Sequence, residues 1–275
     1  MTTQKQLFTG EKTIYDMTNC EKPLLTIATV TYNAEAVIGR TAESIRQQTC
    51  DNYEWLVVDG ASADGTMQLV RSSGVEPLRW VSERDGGLYD AMNKAIDMAQ
   101  GRYIVFLNAG DAFASPDVVA RIVEAAESSP DVIYGQTQLV DAGQRVLGKR
   151  HLTAPRHLTV KSFARGMVVC HQAFVPRLDV VGHYDLQYRL SADYEWCLRC
   201  LKASQRNVYL GDEPMVDYLV DGMSAQHRAH SLRERWQIMC RYYGFVPTLL
   251  RHIGFVPRFV ANRLKMRLKR GGWGG

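Results

Sequence analysis

Between residues 24 and 128, four short apolar runs alternate with four helical windows across loops of a few residues. The runs are LLTIATVT (24–31), EWLVVD (54–59), LRWVS (78–82) and RYIVFLN (102–108). LLTIATVT is a continuous run of apolar and β-branched residues, which suits a strand covered on both faces. The windows lie at 34–48, 66–72, 88–100 and about 116–128. In the first, Val37, Ile38, Ala42 and Ile45 recur at helical spacing. In the third, Leu88, Ala91, Met92, Ala95, Met98 and Ala99 make one face, and Gly101 is expected to close the helix. Strands alternating with helices in this way predict an α/β fold, a mostly parallel sheet with helices on both faces.

After Asp131 the rhythm changes. VIYGQTQLV and QRVLGKRHL flank the turn DAG (141–143), which suggests an antiparallel extension. ADYEWCLRCLKA (192–203) reads as a helix, NVYL and PMVDYLV as strand pieces, and the chain from His230 onward as helical. GFVP occurs at 244–247 and 254–257, each copy expected to interrupt a helix at its proline. The organisation expected is a polar leader (1–22), a main domain (23–228, with halves 23–130 and 131–228) and a basic helical segment (229–275).

A length of 275 residues is enough to bury a core without disulfides, and 46% hydrophobic with 23% charged residues argues against disordered or fibrous classes. No apolar run approaches the ~18–20 residues of a spanning helix. The first residues, MTTQKQLFTGEKT, carry no apolar signal core, and the 6 cysteines are scattered, so a cytoplasmic protein with reduced thiols is expected. From Arg235 to Gly275 there are nine Lys or Arg and no Asp or Glu, while the remainder holds 24 basic against 29 acidic residues. Such segregation points to an anionic partner for the tail. An anionic membrane surface is favoured: Val256, Phe259, Val260, Leu264 and Leu268 share one broad helical face, but Arg263 and Arg267 project into it, so mainly electrostatic docking is expected. No nucleic-acid-binding module accompanies the basic run, so no nucleic acid is expected.

In an open parallel sheet, ligands gather beyond the carboxyl ends of the strands. TYN (31–33), DGASADGT (59–66), ERDGG (83–87) and NAGD (108–111) stand at those four places. Together they mark a cleft, where one isolated Asp-Gly turn would mark nothing. No GxxxxGK[ST] or GxGxxG motif is present, which disfavours P-loop and dinucleotide enzymes.

TVTYNAEAVIGRTAESIRQQT, WLVVDGASADGT and GLYDAMNKAIDMAQGRYIVFLNAGD resemble the nucleotide-sugar domain of the family 2 inverting glycosyltransferases, in the bacterial branch that builds capsule, colanic acid and lipopolysaccharide. The similarity is strong over 24–111 and looser to about 224. It implies a GT-A (Rossmann-like) fold, a nucleotide-sugar donor such as a UDP-sugar, a saccharide or lipid-linked acceptor, and Mg²⁺ or Mn²⁺. By the same resemblance Asp59 contacts the base or ribose of the donor, while Tyr32 and the backbone around Thr31 pack on the base. Asn33, Asp85 and Asn93 are further substrate-binding candidates. A turn cap is the plain alternative for Asp59, and Asp64 holds the turn through Asx contacts.

Relatives commonly carry a D-x-D element after the fourth strand. Here the stretch is Asn108-Ala109-Gly110-Asp111, which leaves Asp111 as the metal carboxylate and Asn108 to contribute an amide oxygen or to fix the loop. Inverting displacement needs a base for the acceptor hydroxyl. LSADYEW (190–196) matches the family's ED-type element and makes Asp193 the candidate, with Ala192 where Glu is usual. Helix-end stabilisation is the plain alternative for Asp193, and Glu195 is a weaker rival. His171, in Cys170-His171-Gln172, is expected at the acceptor pocket or in the core. Ser224 and His227, in DGMSAQH (221–227), are candidates for the donor phosphates. Cys197 and Cys200 lack a second metal-spaced pair and read as buried thiols.

The function expected is sugar transfer at the inner face of the cytoplasmic membrane. A non-catalytic nucleotide-sugar-binding protein and a sugar-phosphate nucleotidyltransferase are the alternatives.

Overall fold

The computed structural model describes residues 22–220 and 228–253. The chain divides into two compact units, one ending at Gln226 and the other beginning at His227.

In the first unit β1 (Leu25–Thr31), β2 (Tyr53–Asp59), β3 (Leu78–Ser82) and β4 (Tyr103–Phe106) form a parallel sheet in the order β3-β2-β1-β4. Every residue of β1, β2 and β4 is buried, the condition that continuous apolar runs satisfy. Helices α1 (Glu35–Arg46), α2 (Thr66–Arg71) and α3 (Leu88–Met98) make the crossovers. The chain order reverses direction between β1 and β4, so the crevice of this sheet lies at the carboxyl end of that pair.

Beyond β4 come β5 (Ala112–Phe113), α4 (Val118–Glu127), β6 (Val132–Val140), β7 (Val146–Lys149), β8 (Phe174–Pro176), α5 (Ala192–Ala203) and β9 (Asn207–Leu219). β6 pairs antiparallel with β7 and β8 and parallel with β9, which carries β5 on its other edge. A bridge from Tyr103 to Arg177 joins this sheet to the first. NVYL and PMVDYLV, read as separate pieces, are one strand whose register against β6 shifts after Tyr134 and again after Gln136. A bulge lets one strand absorb residues that break the pattern.

Two details of α3 differ from the sequence reading. The helix ends at Met98 with Ala99 extended, so Gly101 does not cap it. A Cβ at Gly101 would lie 2.4 Å from the Thr26 amide nitrogen, which shows that close approach to β1 requires the glycine. Ala91, Met92 and Ala95 lie on the expected face, while Leu88, the first residue of the helix, is left exposed and Tyr89 joins the buried side.

At the amino ends of the strands, away from the crevice, Arg79 pairs with buried Glu54 at 2.8 Å. Thr26 Oγ1 and the Gln100 amide each donate to Glu54 at 2.6 Å, and Arg79 also donates to the Met98 carbonyl. A buried ion pair is tolerable only with such additional donors.

In the second unit α6 (Arg228–Tyr243) is followed by α7 (245–253). Gly244, at φ +86°, makes the break, and Pro247 falls in the first turn of α7. Proline costs little there because that amide has no helical partner. The expected interruption at Pro247 is thus displaced to Gly244. The leader before residue 22, Ser224 and His227, and the face running from Val256 to Leu268 lie outside the described residues.

Candidate active site

The β1–α1 and β2–α2 loops are tied together by their own polar groups. Asn33, at φ +48°, donates its amide to Ser62 Oγ at 2.8 Å, and its Oδ1 accepts from the Ala63 amide at 2.9 Å. The Ala34 amide donates to Thr66 Oγ1, and Asp64 accepts from the amides of Glu35 and Thr66. Asn33 and Asp64 therefore hold loop to loop.

Asp59, fully buried, accepts from the Ser62 amide, the Ser62 hydroxyl and the Ser82 hydroxyl. Three of its acceptor sites are engaged by its own chain, so it fixes the turn beneath the cleft. The Gly60 backbone lies against Asp85 and Tyr32. A Cβ there would stand 2.8 Å from Asp85 Oδ2 and 3.3 Å from the Tyr32 ring. The Tyr32 ring is 67% exposed. Asp85 is half-buried and accepts from the Gly87 amide at 2.8 Å. These two side chains present an open aromatic face and a carboxylate side by side. Below them Thr31 Oγ1 is buried without a partner in the described structure.

At the end of β4 the NAGD turn is held from α1. Thr41 Oγ1 accepts from the Gly110 amide and donates to the Asp111 carbonyl, and Arg40 donates to the Gly110 carbonyl. Gly110 has φ +96°, which favours glycine. Asp111 is 5% exposed. Its Oδ1 accepts from the Leu219 amide at 3.0 Å and its Oδ2 from Gln172 Nε2 at 2.7 Å. Burial pushes its carboxyl up to about 6, against the opposing effects of those two donors and of Arg40. Asn108 Oδ1 is buried without a partner among the described residues. Among the described residues no three His, Cys, Asp or Glu side chains cluster as a metal cage. The oxygens on offer to a hard cation are Asn108 Oδ1 and the remaining lone pairs of Asp111. Such a set fits an ion that takes its other ligands from phosphate and water.

Gln172 is the residue that sequence reasoning missed. Its Oε1 accepts from the Cys170 thiol at 2.9 Å, which turns its amide nitrogen toward Asp111. His171, its neighbour, points into the core. It is stacked on Phe106, edge-on to Trp196, and 2.6 Å from the Tyr184 hydroxyl. Burial pulls His171 down to about 4, so the ring is neutral near pH 7. Asn93 binds the backbone of Tyr184 through both ends of its amide, at 2.6 and 3.2 Å, and clasps α3 to that loop.

Asp193 stands in the first turn of α5, half-buried. Its Oδ1 accepts from the Tyr89 hydroxyl at 3.2 Å and the Tyr194 amide at 2.8 Å. Both contacts fall on that one oxygen, and among the described residues neither engages Oδ2. Glu195 is 2% exposed and ion-paired with Arg199 at 3.0 Å, so it does not reach the cleft. The Cys170 thiol is raised by burial first and then by the charges of both Asp111 and Asp193. The two carboxylates thus lie within electrostatic range of one side chain. Burial also raises the Cys197 and Cys200 thiols, the latter to about 12.

Residues 26–178 match the family described as Glycosyl transferase family 2. A "PGL/p-HBAD biosynthesis glycosyltransferase" of Mycobacterium bovis (strain BCG / Pasteur 1173P2) is 34% identical over 186 residues, 65% of this chain and 70% of that protein. The fold matches the crystal structure of S. aureus TarS 1-349, with TM-score 0.64 at 16% identity over 84% of this chain and 72% of the other. The complex of TarS 1-349 with UDP-GlcNAc matches at TM-score 0.61 and 17% identity, over 79% of this chain and 65% of the other. Mannosyltransferase PcManGT from Pyrobaculum calidifontis, in complex with GDP-Man and Mn²⁺, matches at TM-score 0.55 and 20% identity, over 81% of this chain and 63% of the other.

Proposed function

The chain belongs to glycosyl transferase family 2 and has the GT-A fold, and from that premise we propose a division of labour within its cleft. The donor is a nucleotide sugar, most simply a UDP-sugar, as in the TarS complex. The acceptor is a saccharide or lipid-linked hydroxyl of a cell-surface glycan, in keeping with the relative named for PGL/p-HBAD biosynthesis.

The observation that carries the reading is Asp193. A carboxylate in the first turn of α5 is held through one oxygen by Tyr89 and by the Tyr194 amide, which leaves the other oxygen for the acceptor. Asp193 takes the acceptor hydroxyl proton as that hydroxyl attacks the anomeric carbon, and the diphosphate leaves from the opposite face with inversion. Tyr32 offers its exposed ring to the base, and Asp85 offers a carboxylate to base or ribose. Asp59, Asn33 and Asn93 act one step back, by fixing the loops that carry these groups. Ser224 is a further candidate for the diphosphate.

Asp111 and Asn108 would hold Mg²⁺ or Mn²⁺, as the Mn²⁺ complex of the related fold suggests. A bound ion there neutralises charge on the leaving diphosphate. The basic tail supports a place at the inner face of the cytoplasmic membrane, beside a lipid-linked acceptor. The test is nucleoside diphosphate release from a panel of nucleotide sugars with Mn²⁺ and with excess EDTA. Release from one donor, raised by acceptor, is expected. No release from any donor, with or without acceptor, overturns the assignment.

A further inference from the structure

Helix α7 carries an apolar face that is exposed among the described residues. Phe245, Val246, Leu249, Leu250 and Ile253 are 60%, 62%, 38%, 64% and 57% exposed. At 100° per residue these five fall within one 140° arc, roughly opposite buried Thr248. The helix is anchored beside that stripe. Trp236 of α6 meets His252 edge-on with ring centroids 4.7 Å apart and touches Phe245, at the rim of the stripe, at 6.0 Å. Thr248 Oγ1 donates to the Gly244 carbonyl at 2.8 Å, and Arg251 lies over the Tyr243 ring. The apolar stripe is therefore held in place on a packed helical hairpin. Stripes of this size on a soluble surface mark a contact site.

Charge decides the occupant. No Asp or Glu follows Glu234 in the sequence, and the 22 residues after Ile253 carry six Lys or Arg (Arg258, Arg263, Lys265, Arg267, Lys269 and Arg270). An apolar helix face joined to an acid-free basic segment is complementary to an anionic bilayer, where a shallow apolar insertion and a basic patch act as two signals. We infer that α7 inserts Phe245, Val246, Leu249, Leu250 and Ile253 into the headgroup boundary of an anionic membrane. This rests on the membrane placement proposed above and changes its nature, from charge docking alone to insertion plus charge.

The experiment is co-sedimentation of the full chain with phosphatidylcholine vesicles and with mixed phosphatidylcholine–phosphatidylglycerol vesicles. The wild type, the double variant Leu249→Glu/Leu250→Glu and the control Leu249→Met/Leu250→Met are compared. Circular dichroism and nucleoside diphosphate release without vesicles confirm that each variant is folded, since neither position belongs to the cleft. The wild type should bind the anionic vesicles and keep part of that binding at about 1 M salt, where charge attraction is screened within ~3 Å. The Glu variant should bind at least about tenfold more weakly, as expected for two leucines withdrawn from an apolar phase, and the Met variant should bind like the wild type. Undiminished binding by the Glu variant would overturn the insertion while leaving the membrane placement standing. Failure of the wild type to bind either vesicle would overturn both. A wild-type dimer that the Glu variant abolishes, with no vesicle binding, would assign the face to a second copy of the chain instead.

Discussion

At the scale of single residues, two buried titratable groups near the cleft respond to pH in opposite senses. Asp111 has its carboxyl raised to about 6 by burial. The folded state then holds a proton that the unfolded chain has released, so this contribution is present below pH ~4 and fades as pH rises through 6. His171 is lowered to about 4 by burial. There the unfolded chain holds the extra proton, and stability from this site grows as pH rises toward ~6.5. In metal-free buffer Asp111→Asn should therefore gain on the wild type by up to about 3 kcal/mol between pH 4 and 7, on the scale of 1.36 kcal/mol per pKa unit. His171→Phe should move the other way, with its advantage largest at low pH. Urea midpoints across that range test both, and a constant difference for either variant would contradict the burial argument. A residue-level reading of the sequence singles out Asp111 and Asp193 as candidates. It could not locate Gln172 or Tyr89 as their partners, because those contacts join positions 61 and 104 residues apart. It offers Asp59 either to the donor nucleoside, by the resemblance, or to the turn. Only the fold reveals that Ser62 and Ser82 already engage that carboxylate.

At the scale of elements, hydrophobic continuity made β1, β2 and β4 legible, because a strand buried on both faces has no polar alternation to confuse the reading. The second sheet was less so. β9 pairs across 75 residues of sequence and absorbs a bulge, and short-range pattern contains neither fact. Gly101 shows the same limit. A glycine after a helix suggests a cap, yet here the constraint is the β1 backbone. The Glu54–Arg79 pair ties β2, β3 and the end of α3 together. Removing one partner, as in Glu54→Ala, should destabilise the unit by about 3–5 kcal/mol by leaving an uncompensated buried cation. Joint replacement by Leu at 54 and Met at 79 should recover most of that loss. Denaturant unfolding decides it, and a single variant within about 0.5 kcal/mol of wild type would show that the pair is not structurally important.

At the scale of the whole molecule, the acidic body and the basic end are separate in sequence, and the division between Gln226 and His227 falls shortly before the acid-free stretch that begins at Arg235. Family membership fixes the reaction class, while the assignment of roles in the cleft rests on geometry. Asp193 is the point where that assignment is most exposed. Asp193→Asn keeps the size of the side chain and an oxygen able to accept from Tyr89 or Tyr194, but removes the basic oxygen. The decisive measurement is kcat for acceptor-dependent nucleoside diphosphate release by this variant, with the donor Kd measured in parallel by calorimetry. The expected result is a fall of at least ~10²-fold in kcat with little change in donor Kd. Near-normal kcat would contradict the account and move the base elsewhere in the cleft.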